Sequence, residues 1–529
     1  MRSTARAMRT WTILAVAIAA SCTAPSVSPS PSPSAAATPS APITASPATP
    51  STTASSPGPS PSVGPTAPPS TATGGGTWQQ AGTMAIARGL PHAVVLGDGS
   101  VLVIGADGAQ ISFDDSQQAE IWDPTSGRWS SGPKLNKPRA DFLTARLSDG
   151  RVMVTGGVTA GVVDSPDGLE HHQSFSGTYI FDPAKASSGW VAVAGLAHAR
   201  TAPAGGTLAD GRVLVAGGYF LSGSEGAIPS TLAGPFQAGG GGTCPAGSCV
   251  APPADVAPPK LVSAFATAEI YDPAKDAWTA TGPMHYARVG AASVLLTDGR
   301  LLVVGSGSVD DYSFNYSNPR LSDRAYSTAE TYDPASGRFT LTGDLPAPDW
   351  SPLAKLGPYP ITSYGVTSVG TLAALADGGA LLVGRVTRWS VNALDEAGTT
   401  VQTLRFDASS GAWSVVDQAI YGTVIADEPT PTNALVAGHS REGATAIRLQ
   451  DGRVLIAGGT DTALSDAADL WDPTTGSWTP VAPMPNPHRD GTAVLLPDGS
   501  VLIAGGQVST EDCAACAAIA VAVRFVPAP

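Results

Sequence analysis

Charge is sparse in this 529-residue chain. Only 14% of its residues are Asp, Glu, Lys or Arg, and lysine is reduced to six positions against 23 arginines. The balance is 29 basic against 43 acidic side chains, a net charge of −14. A chain this acidic is a poor counter-ion for phosphate backbones, which excludes nucleic acid as an expected partner. A long apolar run is also missing: the N-terminal stretch Trp11 to Ala20 falls short of the ~20 residues that a spanning helix needs. Cysteine is scarce, at five. Glycine and proline are abundant instead, at 60 and 47. They argue against long helices and for many turns, while the 43% of hydrophobic residues still allows a large core.

Arg2, Arg6 and Arg9 precede the short apolar stretch, and Ala19, Ala20, Ser21 and Cys22 follow it. A charged start, a short apolar segment and small residues form a secretory signal. The last four residues resemble the lipobox of bacterial lipoproteins, with Ala19 where leucine is usual. The resemblance implies a signal peptide over 1–21, a lipidated Cys22, and attachment to the outer face of a bacterial membrane through acyl chains alone. The alternative is a soluble secreted protein cut near Ala20. Residues 23–76 hold no charge and 14 prolines among Ser, Thr and Ala. With the anchor, 22–76 reads as a disordered linker, stiffened by proline to a reach of up to about 170 Å.

From 77 to 529 one pattern recurs seven times. An apolar run ends in Asp-Gly, and a second apolar run follows and usually ends in Gly-Gly. The pairs begin at Asp98, Asp149, Asp210, Asp298, Asp377, Asp451 and Asp498. Asp-Gly between two β-rich runs is a hairpin signal, because glycine takes the positive φ of the turn. A second hairpin follows each first one, marked by an aromatic, Asp-Pro, a Gly-containing turn and Trp. Trp122-Asp123-Pro124 to Trp129 and Trp471-Asp472-Pro473 to Trp478 are examples. Two hairpins per unit predict four-stranded antiparallel sheets, and seven units predict an all-β, seven-bladed propeller. The seventh unit runs out after its third strand, Val521 to Phe525. The unpaired Thr77-Trp78 at the other end is expected to supply the fourth and close the ring.

The Gly-Gly doublets, the aromatics and the spaced tryptophans resemble the Kelch family over nearly all of 77–529. The resemblance implies a Kelch-type propeller and hardly constrains activity. Galactose-oxidase-like enzymes share this fold. Their copper site uses tyrosines, histidines and a tyrosine crosslinked to cysteine, with one histidine from a further domain. This chain stops at Pro529 inside the last unit, so no copper and no other cofactor is expected.

The tight turns are expected on one face, and the long connections between second and third strands on the other. These run roughly 158–176, 219–266, 306–327, 385–401 and 507–520, and binding usually sits on such loops. The third carries Asp311, Tyr312 and Tyr316, and Trp389 lies in the fourth. Aromatics with acids suit a sugar, through ring stacking and hydrogen bonding; packing of the rings onto the blade is the alternative. Just before the first strands stand Arg88, Arg139, Arg200, Arg288, Arg441 and Arg489, with His92, His198, His285, His439 and His488 beside them. A ring of guanidiniums, Arg139, Arg288, Arg441 and Arg489 among them, is a candidate site for a carboxylate or phosphate. The plainer reading is that each closes its own blade. Cys244 with Cys249, and Cys513 with Cys516, are expected as two local disulfides.

The sequence thus points to a monomeric surface binding module for an extracellular glycan, envelope polymer or protein. An extracellular glycan-active enzyme, with its site on the same face, is the alternative.

Overall fold

A computed structural model of the chain describes residues 75–105, 115–159, 173–221, 262–305, 327–349, 363–368, 370–392, 395–422, 425–426, 428–429, 433–436, 438–460, 464–508 and 518–528. These build seven four-stranded antiparallel blades in a ring. Blade one, for example, runs His92–Val95, Val101–Ile104, Gln118–Asp123 and Arg128–Lys134 in order from its inner strand outward. The first strands of successive blades neighbour one another all the way round, with blade seven returning to blade one. The expected closure is present. The N-terminal strand Gly76–Thr83 pairs with Val521–Pro527, placing Trp78 opposite Phe525.

The Asp-Gly turns form as their residue types require. All seven turn glycines sit at positive φ, between +85° and +95°. The preceding aspartate accepts the amide two residues on, as Asp298 does from Arg300 at 3.0 Å. In the Asp-Pro turns the aspartate again caps the turn, as in Asp333 with Ala335 at 2.9 Å. The stretched hairpin of blade two absorbs its extra residues in a 3₁₀ segment, Pro183–Ser188.

The core lies between blades rather than within one. Seven apolar clusters each join two consecutive blades, including one that joins blade seven to blade one through Ala81, Met84, Val103, Trp122 and Leu502. The recurring tryptophan of the fourth strand spans the same gap. Its indole N–H donates to the preceding blade from Trp129 to the Ala81 carbonyl (2.9 Å), from Trp190 to Pro133 (3.1 Å) and from Trp278 to Ala194 (2.8 Å). A large apolar ring with one polar handle suits a position where burial and one hydrogen bond are both needed.

The Gly-Gly doublets explain how blades approach. In blade three the Gly218 amide donates to the Arg288 carbonyl of blade four at 2.8 Å. A Cβ on Gly217 would stand 2.5 Å from that same oxygen, at a φ of +69°. Glycine is needed there on both counts.

Blade five departs from the rest. Its second, third and fourth strands, Ala380–Asn392, Asp395–Asp407 and Ala412–Gly422, run far beyond the usual four or five residues. Ser363–Ser368 and Asn433–Val436 add to them, giving a six-stranded sheet. The 385–401 connection, expected as a loop insertion, is therefore a continuation of the blade's own strands on the long-connection face.

Candidate functional site

The ring arginines are placed by the blades themselves. Each lies four residues before a first strand and seventeen before the glycine that ends the second strand. That spacing brings the guanidinium to the glycine's carbonyl: Arg88 to Gly105 at 2.9 Å, Arg139 to Gly156 at 2.9 Å, Arg200 to Gly217 at 2.9 Å and Arg288 to Gly305 at 3.2 Å. Arg441 reaches Gly458 through Nε at 2.7 Å. Among the described residues, four of the five also meet a buried carboxylate on the third strand. The pairs are Arg88–Glu120 (3.0 Å), Arg200–Glu269 (3.1 Å), Arg288–Glu330 (2.9 Å) and Arg441–Asp469 (2.9 Å). Arg139 of blade two lies over the rings of Phe175 and Tyr179, 4.9 Å from each centroid.

Arg139, Arg288 and Arg441 are thus buried and engaged inside their own blades, not presented to a ligand. The blade-closing reading fits them. Arg489 does not hold the ring position at all. In blade seven that place belongs to His488, which is buried, and whose carbonyl accepts from Gly459 of blade six as the Arg288 carbonyl does from Gly218. Arg489, one residue on, pairs with Asp490 at 2.7 Å.

Burial pushes the guanidiniums of Arg88, Arg200 and Arg288 below the ordinary arginine value, and the paired carboxylates oppose that. Burial also pushes the Asp469 carboxyl up, but hydrogen bonds from His439 and the Arg441 charge outweigh it and leave it below the ordinary range. Two half-exposed histidines touch the same carboxylates. His285 Nδ1 lies 2.8 Å from Glu330 and His439 Nδ1 3.1 Å from Asp469, and the His439 ring stacks on Trp478 at 4.5 Å. Burial alone pushes His92 down to about 4.

The four carboxylates are absent from the sequence-based candidates, although the chain marks their positions. Each stands two residues before the aromatic of the Asp-Pro turn, as in Glu120 before Trp122 or Asp469 before Trp471. That regular spacing marks the partner of each arginine.

Of the other sequence-derived candidates, Asp311, Tyr312 and Tyr316 lie outside the described residues, as do Cys22, Cys244, Cys249, Cys513 and Cys516. For Trp389 the backbone alone is described, in the second strand of blade five, between Tyr364 and Gly398. Among the described residues no three His, Cys, Asp or Glu side chains converge as a metal cage.

The largest described element of the long-connection face is the blade-five sheet; a short ribbon, Tyr219–Leu221 with Val262–Ala264, stands at the base of the 219–266 insertion. On its side toward blade four runs a polar file. Arg385 donates to the Pro346 carbonyl at 2.9 Å and to Gln402 Oε1 at 3.1 Å. Gln402 donates to Gln418 at 3.3 Å, and Gln418 to the Asp349 carbonyl at 3.1 Å. The other side is apolar, with Val386, Val401, Ala419 and Tyr421 packed together.

The opposite face is closed by its own bonds. Arg212 and Arg300 bind their turn aspartates and reach the turn between the third and fourth strands of the next blade, at Pro334 (3.1 Å) and Ala408 (3.0 Å). Arg405 pairs with Asp377 in the same manner.

Residues 446–485, from the first strand of blade six to just beyond its fourth, match the model of the Kelch motif. No curated protein matches the chain. Among solved structures, that of a fungal alcohol oxidase with catalytic diversity among the AA5 family, in complex with copper, is similar over 86% of this chain and 76% of that one. The identity is 17% and the TM-score 0.48.

Proposed function

We propose that this Kelch-type propeller is a surface binding module that recognises an extracellular glycan, envelope polymer or protein through its long-connection face. One observation carries the reading: the two faces are built differently. The turn face is a repeated set of short, self-bonded turns, whereas the other face holds the strand ends from which the long connections leave and, in blade five, a sheet grown out of the blade. Elaboration on one face of a regular scaffold is where recognition concentrates. In this reading Cys22 carries the lipid, 22–76 is the stalk, and the propeller stands as a monomer outside a bacterial membrane. Asp311, Tyr312, Tyr316 and Trp389 are the proposed sugar contacts.

The test is binding of the protein lacking residues 1–74 to a glycan array and to purified envelope polymers. A hit is expected, and Tyr312→Ala with Tyr316→Ala should weaken it roughly tenfold, as loss of a stacking aromatic does. Unchanged affinity removes these contacts. Turnover of the bound glycan would convert the reading to the enzymatic one.

A further inference from the structure

Four ring arginines are neutralised by a carboxylate and a fifth is sandwiched by aromatic rings. Arg385 has neither. It is 97% buried, since its relative exposure is 3%, and its bonds go to two neutral oxygens, the Pro346 carbonyl and Gln402 Oε1. At the position where blade four carries Glu330, two residues before the turn aromatic, blade five carries Leu404. Among the described residues no carboxylate bonds this guanidinium, and its Nε has no partner. Burial lowers it only to about 10, so it stays charged at neutral pH.

Two further groups on the same side of the sheet are also without partners. Arg385 lies opposite Gln402, and Thr387 lies opposite Thr400. Paired residues share a face, and the two pairs are two residues apart along the strand, about 7 Å. Thr387 and Thr400 are almost wholly buried, and neither hydroxyl has a hydrogen-bond partner. An N–H and two hydroxyls, all buried and all able to donate, thus stand without partners on one side of the sheet. Leaving each unmet costs about 1–3 kcal/mol, and a lone buried charge costs more.

We infer that blade five holds a small monovalent anion, a halide or a carboxylate group, between the Arg385 guanidinium and the hydroxyls of Thr387 and Thr400. One negative charge balances the one guanidinium, whereas a dianion would leave a buried excess. The site lies within the blade-five sheet, on its side toward blade four, and its test needs no glycan ligand.

The experiment follows thermal unfolding of the full chain in sodium chloride and in sodium acetate, against sodium sulfate at matched ionic strength. It is paired with chloride NMR line broadening. Raising the anion from about 1 to about 100 mM should lift Tm by roughly 1–3 °C beyond the sulfate response. Line broadening identifies a halide site, and a response to acetate alone identifies a carboxylate site. Thr387→Val with Thr400→Val keeps the side-chain shapes and should abolish the response, as should Arg385→Gln if that variant folds. Gln402→Glu supplies a built-in carboxylate and should remove the anion dependence while raising Tm in anion-free buffer. A wild-type protein with no specific anion response, or a threonine double variant that responds like wild type, overturns the site and leaves a buried water as its occupant.

Discussion

Arg288 and Glu330 are both sealed from solvent, and each bonds the other and its own blade's backbone. Removing one member leaves the other buried and unpaired. Glu330→Ala is therefore expected to lower stability by about 3–5 kcal/mol, read from denaturant unfolding. A loss below ~1 kcal/mol would show that the pair is solvated in solution. His92 makes a separate prediction. Its folded value is near 4 and its unfolded value near 6.5. Between those limits the unfolded chain holds more protons, so stability falls as pH drops from 6.5 toward 4, by up to about 3 kcal/mol. His92→Leu should flatten that part of the stability–pH curve, and an unchanged slope would rule the residue out as its source. At this scale the recurrence of the arginines was legible, because a fixed chain spacing repeats with the fold. Their direction was not, because it depends on Glu120, Glu269, Glu330 and Asp469 arriving from strands some thirty to seventy residues away. Arg489 misled because an arginine stands one residue beyond the true ring position, His488.

The elements followed their turn chemistry. Asp-Gly and Asp-Pro punctuation located the hairpins, and the missing fourth strand of blade seven located the closure. That closure is held by the strand Gly76–Thr83, where Trp78 packs on Phe525 at 5.1 Å and donates to the Ala482 carbonyl of blade six at 2.7 Å. Trp78→Ala removes both contacts and is expected to lower stability by about 3–5 kcal/mol in equilibrium unfolding. A change under ~1 kcal/mol would mean that the ring stays shut without this strand. The blade-five sheet was not foreseen as strands. Its signal was present in the β-branched residues Val383, Val386 and Thr387, and in Thr399, Thr400, Val401 and Thr403 opposite. Arg385 stands in place of the second glycine of the doublet, where the other blades leave their strands. With that punctuation lost, the end of the second strand had no mark in the sequence.

For the whole molecule, the sevenfold ring distributes its core over seven equivalent interfaces, which leaves the two faces to differ. The turn face satisfies itself through Asp-Arg pairs and carbonyl bonds between neighbouring blades. The other face carries the variation, and the proposed binding role rests on that contrast. Hydrogen–deuterium exchange of the protein with and without its envelope or glycan ligand tests the claim most directly. Protection confined to peptides of the long connections, 385–401 above all, with the Asp-Gly and Asp-Pro turns unchanged, is the predicted result. Protection centred on those turns would contradict it.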